Sequence, residues 1–152
     1  MFHALITNSR DSRYHATTRD SSFVLDTKGN GANPIDALLA SLAACVGHHI
    51  IYWMRDRTIA NPGFSISATG ELADDRLRLS TITLIADLRA VDRAKTEYGE
   101  ILAYVQRCPI FGTLSSACRI DFSLADSDLP SMLPRDSPGG ERDGPPVSPG
   151  RT

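Results

Sequence analysis

Cysteine is scarce in this chain: three residues, Cys45, Cys108 and Cys118, among 152. An odd, sparse set is not the dense even framework that staples a small secreted domain, so the expected setting is a reducing cytoplasm, where any disulfide is transient. An excess of either charge is missing as well. Sixteen Lys+Arg stand against eighteen Asp+Glu, a formal net charge of −2, which leaves no basic surplus to neutralise a phosphate backbone. Nucleic acid is not an expected partner. There is no run of about 18 uninterrupted apolar residues, and Met1 to Arg10 shows no cationic region leading into an apolar one, so neither membrane insertion nor secretion is expected.

What is present is the composition of one soluble globular domain, 41% hydrophobic and 22% charged. Its expected extent is residues 1–125. From Asp126 onward the chain holds Pro130, Pro134, Pro138, Pro145, Pro146 and Pro149, with Gly139, Gly140, Gly144 and Gly150 between them. Leu129, Met132, Leu133 and Val147 are too few apolar residues to offset the entropy of ordering, so residues 126–152 read as a disordered tail, and deletion of residues 128–152 is expected to leave fold and activity intact.

Residues 2–8, 13–18 and 22–26 are short, rich in β-branched and aromatic residues, and separated by polar breakers. They predict an antiparallel meander. Asn33-Pro34 then opens a helix, with Asn as N-cap, Pro at the first helical position and Asp36 in the first turn. The next proline is Pro62, so the helix can run to about Arg57. Residues 63–72 and 76–90 alternate as strands joined by a hairpin at Ala73-Asp74-Asp75. A helix capped by Asp92 is expected through Arg107, a break at Cys108-Pro109, a short helix over 110–117 and a last strand over 118–124. The class is α+β, with a mostly antiparallel sheet packed on a long central helix.

That first helix carries apolar residues almost all round: Leu38, Leu39, Leu42, Cys45, Val46, Ile50, Ile51, Trp53 and Met54. A helix of this kind must be covered on every side, and the rest of so small a domain cannot wrap it. A homodimer with two such helices back to back is the expected solution.

Cys45 sits within this helix, with His48 and His49 three and four positions later. Both imidazoles are expected to lean over its turn and to favour a thiolate when protonated; an arginine from the opening strands could serve the same end. The alternative is an ordinary small core thiol. Cys108 precedes Pro109 where the free amides of a new helix face it. Cys118 opens a strand and reads as core or edge filler.

Asn33-Pro34-Ile35-Asp36-Ala37-Leu38-Leu39-Ala40-Ser41-Leu42-Ala43-Ala44-Cys45, followed by Arg107-Cys108-Pro109-Ile110, resembles the two-cysteine signature of the OsmC/Ohr family, the osmotically inducible and organic hydroperoxide resistance proteins. The resemblance in element order runs from about residue 2 to 125. It implies an intertwined homodimer whose two active sites draw on both chains, and a stress-response thiol peroxidase needing no cofactor. Carried over, Cys45 would attack an organic hydroperoxide and become a sulfenic acid. Cys108 would condense with it to a disulfide, which an external dithiol would reduce. In the peroxidase branches a glutamate follows the Asn-Pro and pairs with an activating arginine. Here that position is Ile35, the nearest carboxylate is Asp36, and Arg10, Arg13 and Arg19 all lie in the region that would supply the arginine.

Two other functions compete with the peroxidase. One is metal binding by Cys45, His48, His49 and Cys108, against which stands the roughly 100° between adjacent helical residues, so that no metal is expected. The other is a non-catalytic dimeric protein that binds a small apolar ligand.

Overall fold

The computed structural model describes residues 2–8 and 10–126; the proline-rich segment from residue 127 onward lies outside the described residues. The elements run β1 (Leu5–Asn8), β2 (Arg13–Thr17), β3 (Ser22–Asp26), α1 (Pro34–Asp56), β4 (Ser65–Leu72), β5 (Leu79–Asp87), α2 (Tyr98–Val105), α3 (Pro109–Ser115) and β6 (Arg119–Leu124). The expected α+β class and element order hold.

The strands form two sheets rather than one. β1, β2 and β3 make an antiparallel meander in which Ile6, Ala16 and Phe23 stand abreast. Of its apolar residues Ala16 is buried, whereas Leu5, Ile6, Phe23 and Val24 are exposed. The second sheet has the order β4-β5-β6. β4 and β5 form the expected antiparallel hairpin, but β5 and β6 are parallel. Parallel neighbours need a crossover of a dozen or more residues, which the segment holding α2 and α3 supplies.

Asn33 starts α1 as its residue type predicts: its side chain accepts the Ile35 N–H at 2.8 Å and the Asp36 N–H at 3.0 Å. Asp36 completes the box by accepting the Asn33 N–H at 3.1 Å. Asn33→Ala should therefore lower stability by about 1 kcal/mol, read as a shift of the urea midpoint at unchanged slope.

The 23 residues of α1 pass a bilayer's length and hydropathy criteria. Here its stripe Leu39, Leu42, Val46, Ile50, Trp53 and Met54 is buried against Ile82, Leu84 and Ala86 of β5 and Ile101 and Val105 of α2, which makes it the core helix. The opposite side is open in the single chain, with Ile35, Leu38 and Ile51 all about 40% exposed.

The second helix departs most from expectation, starting at Tyr98 rather than after Asp92. Leu88, Val91 and Ala94 are buried at a spacing of three, held by Val91 N–H to Leu88 O (2.8 Å) and Ala94 N–H to Val91 O (2.9 Å). This tight winding buries the stretch without continuous α-helix. Glu97 then accepts Trp53 Nε1–H at 3.2 Å and Arg57 Nε–H at 3.3 Å and pairs with Arg93, joining the end of α1 to the start of α2.

Candidate active site

Cys45 belongs to the core helix, one turn beyond Leu42, and is partly buried. Cys108 is the N-cap of α3, with Pro109 at the first helical position, and is fully buried. Packing α2 and α3 against α1 brings the two thiols together across 63 residues of chain, with Sγ atoms 2.6 Å apart. A disulfide spans about 2.05 Å, so the remaining half-ångström is a side-chain adjustment and not a backbone rearrangement. Both cysteines are free thiols.

The first turn of α3 presents its unpaired amides to the sulfurs. Phe111 N–H points at Cys108 Sγ from 3.4 Å, and Ile110 N–H donates to Cys45. These amides are orphaned by helix geometry, so the cysteine pair occupies positions that the helix start leaves wanting acceptors. Burial nevertheless dominates at Cys45: together with the contact to Cys108 it pushes the thiol up to about 11, against which the Ile110 amide works.

The two histidines separate. His49 lies with the cysteines, one ligand atom of each of Cys45, His49 and Cys108 falling within 4.8 Å of the others. His48 turns away, its Nε2 lying 2.8 Å from Tyr52 Oη with the rings edge to face. The expected shared lean of both imidazoles is thus corrected to one. Burial, His48 and the Arg107 guanidinium all push the His49 pKa below its usual value, so the imidazole is neutral at pH 7 and does not supply the expected positive charge. Arg107 itself stacks over Tyr104, 4.5 Å from the ring centroid.

The arginines foreseen for activation are elsewhere in the chain. Arg13 pairs with Asp11 at 2.7 Å on the exposed meander, and Arg19 lies 5.7 Å from the Phe2 ring centroid. Arg10 is exposed in the bend after β1, with φ at 70°. Asp36 is spent on capping α1. Cys118 stands just before β6, its Sγ 3.5 Å from Leu114 O, and packs on the core as the filler reading has it. The free amides expected to face Cys108 are the Phe111 and Ile110 N–H groups; what the sequence does not announce is that the Ile110 amide serves Cys45 as well.

Two helical turns before Cys45 is a mainly apolar hollow of about 370 Å³ lined in part by Ile35, Leu38, Leu72, Leu79, Leu114 and Cys118. Leu38 precedes Cys45 by seven residues, or two turns, so hollow and thiol lie along one side of α1.

A dithiol held between a long core helix and the start of a short one, in a two-sheet α+β frame, defines the class of protein. A family model described as OsmC-like protein matches residues 27–123. The chain belongs to the OsmC/Ohr family. Its fold is that of the OsmC-like protein of Mycoplasma pneumoniae, with a TM-score of 0.72 at 22% identity over 82% of this chain and 96% of that one. It is shared with the organic hydroperoxide resistance protein OsmC of Legionella pneumophila (TM-score 0.65, 18% identity, 83% of this chain and 97% of that one). The organic hydroperoxide resistance protein OhrB of Bacillus subtilis is similar too, at 0.60 and 17% identity over 82% of this chain and 98% of that one. At such identities the likeness speaks for the fold. A search of curated proteins gives no match.

Proposed function

We propose that this protein is a cytoplasmic thiol peroxidase that reduces organic hydroperoxides through Cys45 and Cys108. The observation that carries the reading is the 2.6 Å separation of the two sulfurs. The Cys45 thiolate attacks one peroxide oxygen; the O–O bond breaks, the alkoxide leaves and takes a proton as the alcohol, and Cys45 becomes a sulfenic acid. Cys108 then displaces water to form the disulfide, and an external dithiol restores both thiols. Support for an organic rather than a small polar peroxide comes from the apolar hollow, where Ile35 lines the wall and an alkyl group gains by burial.

A homodimer is part of the reading. The open side of α1 and the exposed Leu5, Ile6, Phe23 and Val24 of the meander are two apolar surfaces that a second copy would cover together.

Adding one equivalent of an organic hydroperoxide to the reduced protein should give a Cys45 to Cys108 disulfide by peptide mass spectrometry. Thiols that stay reduced in folded protein would refute the peroxidase. They would favour instead a dimeric protein that binds a small apolar ligand, a reading that the high proton affinity of Cys45 supports.

A further inference from the structure

We infer that the reduced site takes up one zinc ion on Cys45 Sγ, Cys108 Sγ and a ring nitrogen of His49. The ligand atoms of these three residues lie within 4.8 Å of one another. A tetrahedral zinc with bonds of about 2.3 Å to sulfur and about 2.0 to 2.1 Å to nitrogen sets its ligands roughly 3.8 Å (S to S) and 3.5 Å (S to N) apart. The sulfurs, now at 2.6 Å, must open by about an ångström while the imidazole closes in. Cys45 and His49 are four residues apart on one rigid helix, and Cys108 is on a second, so side-chain rotation accomplishes this.

The donor set is that of a borderline-soft ion: two sulfurs and one imidazole, with the fourth position left to water. The surroundings suit ligands of this kind. Ile110 N–H and Phe111 N–H already donate to the two sulfurs, the outer contacts that orient thiolate ligands and offset their charge.

The metal and the disulfide compete for the same two sulfurs, and in this respect the inference rests on the proposed peroxidase reading. An organic hydroperoxide acting on the zinc form takes two electrons from the two thiolates as the S–S bond forms. One peroxide oxygen leaves as alcohol and the other as water, two protons come from solvent, and Zn²⁺ is released. Zinc would thus hold the dithiol idle until oxidant arrives or a chelator removes it.

The test uses the full-length, reduced protein without oxygen. Zinc chloride titrated against a chromophoric chelator should show one ion per chain, and cobalt(II) in its place should give the intense visible bands of a tetrahedral site with thiolate charge transfer. His49→Ala should weaken zinc by more than about 100-fold, the most that loss of an outer partner usually costs. His48→Ala and Cys118→Ser should bind as the parent does, and far-ultraviolet circular dichroism checks that each variant is folded. Equal affinity in folded His49→Ala, or no thiolate band with cobalt, overturns the zinc site. Disulfide formation is measured separately on metal-free protein. Disulfide without zinc uptake sinks only this inference, and zinc uptake without a disulfide sinks only the peroxidase reading.

Discussion

Cys45→Ser should reduce hydroperoxide consumption to the uncatalysed background. On the proposed reading the Cys45 sulfur is the atom that bonds to peroxide oxygen, and a serine hydroxyl is neither ionised nor soft enough to replace it. Cys108→Ser should behave differently. Serine is a good N-cap, so α3 keeps its start and the fold survives. Each subunit should then oxidise once and stop. The product is a Cys45 sulfenic acid that a dimedone-type probe labels, and turnover with an external dithiol falls because no disulfide forms. Cys118→Ser should still form the Cys45 to Cys108 disulfide with an organic hydroperoxide, since the Cys118 sulfur faces Leu114 O and takes no part in the pair. Rate assays with each variant, read beside probe labelling, separate these roles. Labelling at Cys108 in folded Cys45→Ser would reverse the assignment.

The features legible in the sequence were those fixed by local rules. Asn33-Pro34 gave the start of α1 because an N-cap and a proline at the first position act within one turn. The β4 to β5 hairpin is visible in alternation, and β3 in its β-branched and aromatic composition between polar breakers, with bounds that match at both ends. Illegible features were set by distant packing. Whether β6 runs parallel to β5 depends on the crossover through α2 and α3, and no residue of Arg119–Leu124 records that direction. Between Leu88 and Glu97 the few apolar side chains suit a three-residue or a four-residue winding, and burial of Leu88, Val91 and Ala94 against the core selects the tighter one. The histidines show the same limit within the site. Three and four residues after Cys45 lie roughly 60° to one side of it and 40° to the other. Only the placement of α3 decides that His49 joins the cysteines while His48 goes to Tyr52.

The charge that would activate Cys45 on the proposed reading is the least legible element, and it underlies a second large effect. Within one chain the influences on this thiol are burial, Cys108 and the Ile110 amide, and they leave it at about 11. At pH 7 that corresponds to roughly one thiolate in ten thousand, too little for an efficient nucleophile. A peroxidase with this site needs a cation from beyond the chain, and the meander of a second copy offers Arg13 or Arg19. In the dimer, Cys45 should then titrate well below 9.0, the ordinary thiol value against which it is raised in the single chain. The sign follows from the thiolate being the reactive form. With the guanidinium in place, Cys45 oxidation should reach its plateau at lower pH. Without it the rate should climb about tenfold per pH unit toward 11. Replacing the responsible arginine by alanine should therefore cost about 100-fold or more at pH 7 and little at high pH, for each two units that the arginine had lowered the pKa. Single-turnover rates of Cys45 oxidation across pH, together with thiolate absorbance, read this directly. Parent-like pH profiles in Arg13→Ala and Arg19→Ala, with sedimentation showing a compact monomer, would leave the buried thiol without its activator and remove the arginine mechanism.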